Sequence, residues 1–181
     1  LSLKPFELSP DPQFLWLGEK HKEALAAMKY GILDNKGFIA ITGDVGTGKT
    51  TLVNALINSL ADNIIFAQIA DPALEQVDFI NLTADAFNMN KKFDTKGDFL
   101  SHLKVFLNDA YAHHKDVVLL IEEAQNFDPE RLEEVRLISN IEKPDKKLIN
   151  IIFVGQNEFN GILKKNKALR QRIAIVHNLE T

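Results

Sequence analysis

Gly43-Asp44-Val45-Gly46-Thr47-Gly48-Lys49-Thr50 has the residue types and spacing of a phosphate-holding loop. It fits the pattern G-x-x-x-x-G-K-[ST]. Glycines there let the backbone curl until several N–H groups point inward at phosphate oxygens. A helix starting at the end of the loop adds the positive end of its dipole. Lys49 supplies a charge for the β- and γ-phosphates, and the Thr50 hydroxyl can ligate Mg²⁺. Thr51, which follows, is read with the loop as a cofactor-binding residue. A chance glycine-rich turn is the competing reading, and the flanks weigh against it. Phe38-Ile39-Ala40-Ile41 before the loop is of buried-strand type, and Leu52, Leu56 and Leu60 after it recur at helical spacing. The motif speaks for nucleotide binding and leaves hydrolysis open.

A second group lies at the end of the apolar run Val117-Val118-Leu119-Leu120-Ile121, where Glu122 and Glu123 follow. Carboxylates at the end of a buried strand are costly unless something cationic needs them. In an open α/β sheet, ligands sit beyond the carboxyl ends of the strands, so both glutamates face the crevice of the phosphate loop. Mg²⁺ held mostly by water and phosphate needs one carboxylate, assigned to Glu122. A second carboxylate can orient and deprotonate the attacking water, assigned to Glu123. A solvated strand-end pair is the plain alternative. Most phosphate-loop enzymes carry Asp where Glu122 stands, and the extra methylene pushes the carboxylate outward. Gln156, at the tip of Phe153-Val154-Gly155, either bridges the terminal phosphate and the water or is an ordinary strand-end residue.

Only four of the 21 Lys and Arg residues are arginines. Arginine is favoured where a rigid, always-charged fork must meet phosphate or carboxylate. Arg170 and Arg172, just before the last apolar run, either reach a neighbouring subunit's γ-phosphate as an arginine finger or form salt bridges within the chain. Arg131 and Arg136 stand among Glu130, Glu133 and Glu134 and are read as i, i+3 or i, i+4 pairs. His113 and His114 are read as complements to the negative end of a helix rather than metal ligands, since adjacent helical residues diverge. Lys164, Lys165 and Lys167 are read as a solvated face. Phe14-Leu15-Trp16-Leu17 either wall an adenine or strap the N-terminal segment to the core.

These groups need a scaffold. The chain has 181 residues, one domain on a prior of about 150 residues per domain. With 45% hydrophobic and 25% charged residues it has an ordinary globular balance. The absence of cysteine excludes disulfides, thiolate metal sites and a cysteine nucleophile. A net charge of −4 gives no global basic field for nucleic acid. No apolar run approaches the ~20 residues of a membrane span, so no direct membrane insertion is expected, and the N-terminus lacks the apolar core of a signal peptide. Pro5, Pro10 and Pro12 make residues 1–13 an extended arm, and a helix over 20–33 ends at Asn35 and Gly37. Strands are predicted at 38–41, 64–67, 117–121, 148–154 and 173–176. Helices are predicted at 51–60, 74–87, 98–111, 129–141 and 158–165, with Asp128 capping the fourth and Pro129 in its first turn. Strands with little internal alternation suit burial on both faces of a parallel sheet. The class is α/β with an open, doubly wound sheet, since the strands are too few for an eight-stranded barrel. Residues 1–36 form the arm and first helix and 37–181 the phosphate-loop core, together one domain.

The chain resembles the AAA+ ATPases of the general secretion pathway protein A type. The likeness runs through Pro5-Phe6, Leu8-Ser9-Pro10-Asp11-Pro12, Phe14-Leu15, His21, Glu23-Ala24-Leu25 and the phosphate loop. It continues through Glu123-Ala124-Gln125-Asn126, Arg136-Leu137, Ser139-Asn140, Val154-Gly155-Gln156 and Leu169-Arg170-Gln171-Arg172-Ile173. The resemblance implies a three-layer P-loop core with strand order 5-1-4-3-2 and ATP with Mg²⁺ at subunit interfaces. Lys49 and Thr50 match the Walker A lysine and threonine, Glu123 the Walker B glutamate and Gln156 the sensor-1 position. Arg170 and Arg172 lie where the family places its finger, and Glu122 departs from the family's aspartate. Implied too are homo-oligomers once a lid and the remaining domains are present, and an inner-membrane partner in assembling a secretin. A cytoplasmic location follows, with the parent protein anchored in the bacterial inner membrane. With no initiator Met and no helical lid, which would follow residue ~180, the chain is expected to be a piece of a longer protein. Two alternatives stand beside the secretion ATPase. One is a poorly hydrolytic, nucleotide-gated binding module; the other is an accessory ATPase of pilus biogenesis or DNA transposition, and the acidic balance argues against DNA.

Overall fold

The apolar runs form one parallel sheet flanked by helices, in a computed structural model that describes residues 17–179. The arm over 1–13 and the side chains of Phe14, Leu15 and Trp16 lie outside the described residues. The elements are α1 (Glu19–Leu33), β1 (Phe38–Gly43), α2 (Lys49–Asn58), β2 (Ile64–Ile69), α3 (Gln76–Ala86), α4 (Lys96–Ala112) and β3 (Asp116–Ile121). A 3-10 turn (Ala124–Asn126), α5 (Pro129–Ile138), β4 (Asn150–Gly155), α6 (Glu158–Lys165), α7 (Lys167–Arg170) and β5 (Ile173–Leu179) follow. The strand order is β2-β3-β4-β1-β5, the implied 5-1-4-3-2 seen from the other edge. All four pairings are parallel.

Side chains alternate across a strand with period two, and here both faces are apolar. Ile39 and Ile41 of β1 join Ala24, Met28, Leu52 and Leu56 of α1 and α2 in one cluster. Phe38 and Ala40 turn to the other face, with Phe79, Leu103, Leu132 and Val135 of α3, α4 and α5. Helices on both sides make three layers. The edge strand β5 alternates buried and exposed residues instead, because only one of its faces is fully covered.

Several boundaries move for physical reasons. α2 begins at Lys49, inside the motif, because Gly48 takes φ +82° and caps it. α5 ends at Ile138 rather than 141, where Asn140 and Ile141 turn back onto the carbonyls of Leu137 and Ile138. Asp128 caps α5 as expected, accepting from the Arg131 N–H at 2.8 Å. Asn35 and Gly37 end α1 with positive φ. The buried Asn150 amide ties that turn to β4, accepting from the Gly37 N–H at 3.2 Å and donating to the Asn35 side chain at 3.3 Å.

Phe153 of β4 is the hub beneath the strand tips. Its ring stacks on Phe38 at 5.5 Å and meets Phe127 at 5.8 Å and Phe159 at 5.2 Å. It therefore joins β1, the segment after Glu123 and α6. Phe153→Ala is expected to destabilise the fold by about 3–5 kcal/mol, read as a lowered denaturant midpoint at unchanged slope.

Candidate functional site at the carboxyl edge of the sheet

β1, β4 and β3 are neighbours, so their carboxyl ends share one edge. Gly43, Gly155–Gln156 and Glu122–Glu123 stand there together. Gly46 and Gly48 both take φ +82°, where side chains are strained. A Cβ on Gly48 would also come within 2.7 Å of His21 Nε2. Thr47 closes the loop, its hydroxyl donating to the Asp44 carbonyl at 2.8 Å and its N–H to the same oxygen at 3.3 Å. The Lys49 ammonium donates to the carbonyls of Gly43 at 2.9 Å and Asp44 at 2.7 Å, which holds it beside the loop. Thr50 is exposed and Thr51 half-buried on the first turn of α2. Val45 projects into solvent.

Two further side chains hold the loop from outside the motif. His21 Nε2 lies 2.7 Å from the Thr47 carbonyl; a carbonyl only accepts, so this nitrogen carries the proton. Asn157 donates to the Asp44 carboxylate at 2.6 Å. Neither role is legible in the sequence, because no spacing rule connects positions 21 or 157 to the loop.

Glu122 continues the β2–β3 pairing, its N–H donating to the Ile69 carbonyl at 2.8 Å, and its carboxylate accepts from the Gln68 amide. Glu123 is exposed with φ +50°. Gln125 donates to the Glu123 carboxylate at 2.5 Å and accepts from the Gln156 N–H at 2.9 Å. No cluster of three or more His, Asp or Glu forms a metal cage among the described residues. Mg²⁺ keeps several waters and takes one or two carboxylates besides phosphate, so the exposed Thr50 hydroxyl and the Glu122 carboxylate fit it as a donor set.

Residues 32–163 match the AAA domain family. The chain belongs to that family. It is 37% identical to general secretion pathway protein A of Aeromonas hydrophila over 182 aligned residues, which take in 99% of this chain and 33% of the relative. The AAA domain thus spans about a third of the length of that curated relative. Its fold is shared with the Aeropyrum pernix ORC2 protein in its ADP form (TM-score 0.68, 18% identity, 97% of this chain and 51% of that one). It is shared also with Drosophila ORC bound to DNA (TM-score 0.69, 16% identity, 93% and 44%). No helix among the described residues is long and apolar enough to cross a membrane.

Arg172 stands away from this edge. Ile173, next to Arg172, is registered with Phe38 at the start of β1, whereas Gly43 pairs Leu179 at its end. Five residues of strand separate the two ends, about 17 Å. Arg172 donates to the Ser139 hydroxyl at 3.4 Å and to the Asn140 side chain. Neither Arg170 nor Arg172 forms an ion pair with another described residue. Arg136 pairs with Glu133 as expected, and its hydrogen bonds hold the Glu133 carboxyl below the usual range, with smaller help from the charges of Arg172 and Lys96. Arg131 pairs with Glu130 at 2.9 Å and Glu134 at 3.5 Å, but this is no surface pair. Arg131 and Glu134 are each 5% exposed, and Gln76 of α3 bonds the Glu134 carboxylate. His113 ends α4, its Nδ1 2.9 Å from the Asp109 carbonyl.

His21→Ala removes the donor to the Thr47 carbonyl. A hydrogen bond of about 1 kcal/mol corresponds to roughly fivefold weaker nucleotide binding, measurable by titration with a fluorescent ATP analogue.

Proposed function

We propose that this AAA domain binds ATP with Mg²⁺ and hydrolyses it to drive or time the assembly of a bacterial secretion apparatus. The observation that carries this reading is the convergence of Lys49, Thr50, Glu122, Glu123 and Gln156 on one sheet edge, around a loop whose glycines allow close backbone approach. Loop N–H groups and the α2 N-terminus bind the phosphates, with Lys49 leaving its carbonyl partners for the terminal oxygens. Thr50 and Glu122 would hold Mg²⁺, which would supply a positive charge to the phosphates when bound. Glu123 accepts a proton from the attacking water, and the Gln156 amide orients that water against the γ-phosphate. Arg172, with Arg170 beside it, acts on the next subunit, because about 17 Å of strand separates it from its own loop. Oligomerisation is therefore part of the activity.

The secretion role rests on the 37% identity to general secretion pathway protein A, and an inner-membrane partner is what the family resemblance of the sequence implies. The domain works on the cytoplasmic side, where ATP is available. A second reading is a nucleotide-gated binding module with slow turnover. Engagement of Glu122, one methylene longer than aspartate, by Gln68 favours it.

Lys49→Ala is expected to abolish ATP binding in a calorimetric titration, and unchanged affinity would sink the phosphate-loop assignment. Glu123→Gln should keep ATP affinity and lower turnover by roughly 10²-fold or more, the scale of general-base loss. Wild-type turnover already near that variant's level favours the gated module. Arg172→Ala should reduce the rate only at protein concentrations where subunits assemble. Activity independent of both concentration and Arg172 overturns the finger.

A further inference from the structure

We infer that Gln125 is a positioning residue for the Glu123 carboxylate, tying it to the backbone at the tip of β4; this rests on the ATPase reading above. Both ends of one amide are engaged. Its NH₂ donates to Glu123 Oε2 at 2.5 Å, and its carbonyl accepts from the Gln156 N–H at 2.9 Å. The two partners require opposite ends of the amide, so its orientation follows from the contacts. The anchor is stiff because Gly155 is registered with Thr42 inside the sheet.

The space around Gln125 is shaped for this bridge. A Cβ on Gly155 would come within 3.0 Å of Gln125 Oε1 and 3.2 Å of the Ala124 Cβ. A side chain there would push the 3-10 turn and the amide off the strand. The Ala124 side chain is fully buried on the core, which pins the residue between Glu123 and Gln125.

Glu123 needs such a guide. It is exposed, and its φ of +50° is uncommon for a residue with a side chain. An exposed glutamate has several rotamers, and only some aim at a water lined up on a phosphate. A charge-assisted hydrogen bond from a fixed amide narrows that choice. A base misplaced by about 1 Å costs on the order of 10²-fold in rate. The same amide links the base to the residue that orients the attacking water in the proposed mechanism, so a movement of the Gln156 backbone is passed to Glu123 through one side chain.

The test uses two variants of the full chain, each alone and with Glu123→Gln. Gln125→Glu keeps an acceptor for the Gln156 N–H but sets a carboxylate against Glu123. Gln125→Met keeps the volume and removes both hydrogen bonds. The inference expects turnover to fall roughly 10- to 100-fold in both, with ATP affinity within about twofold of wild type. In the Glu123→Gln background the same changes should lower turnover less than about twofold further, because the group being positioned is already gone. Unchanged or faster turnover in either single variant overturns the inference, faster turnover marking Gln125 as a restraint on the base. Loss of ATP affinity in step with turnover overturns it as well, since that is the mark of a structural role. The ATPase reading fails separately: Glu123→Gln alone then leaves turnover at the wild-type level.

Discussion

The register of three parallel strands governs everything at the candidate site. β1 lies beside β4, and β4 beside β3, with Thr42 opposite Gly155 and Ile121 opposite Phe153. Parallel strands end on the same side, so the residues leaving all three are delivered to one edge. A slip of one residue in either ladder would send every side chain to the opposite face. The apolar clusters on both faces and the Phe153 ring, wedged among Phe38, Phe127 and Phe159, oppose that slip. The chemistry of the edge is thus held by packing below it.

At that edge the chain manages polar groups by a few directed hydrogen bonds rather than by burial. Lys49 rests on two loop carbonyls, Asp44 on Asn157, Glu122 on Gln68 and Glu123 on Gln125. Exposed groups are cheap to rearrange, since water can replace each partner as it leaves. The buried ion pair of Arg131 and Glu134 is different, because separating it would strand charge in the interior. The pair lies within α5, and the Gln76 amide bonded to Glu134 ties that helix to α3, so it belongs to the scaffold.

The two ends of the sheet carry complementary chemistry. The carboxyl edge has the loop and the carboxylates, and the amino edge has Arg172, held by Ser139 and Asn140 after α5. A rigid strand separates them by about 17 Å. That polarity is the geometric reason for the proposal that Arg172 acts between copies of the chain.

Much of this was legible in the linear chain. Strands announced themselves as short apolar runs and helices as apolar residues at a spacing of three and four, because both signals come from local geometry. The phosphate loop is contiguous, so its eight residues could be read directly. Glu122, Glu123 and Gln156 could be proposed because strand ends in this architecture must face the ligand crevice. The partners that hold these groups could not. His21 meets Thr47 across 26 residues, Gln125 meets Gln156 across 31 and Asn157 meets Asp44 across 113. The burial of Arg131 was hidden too, since a helix full of charges looks solvated until tertiary packing covers one face. Residue type and order set which elements form and which groups can do chemistry. Only the packing of those elements decides which side chains meet, because a contact between distant positions depends on strand order and register, and no local pattern encodes either.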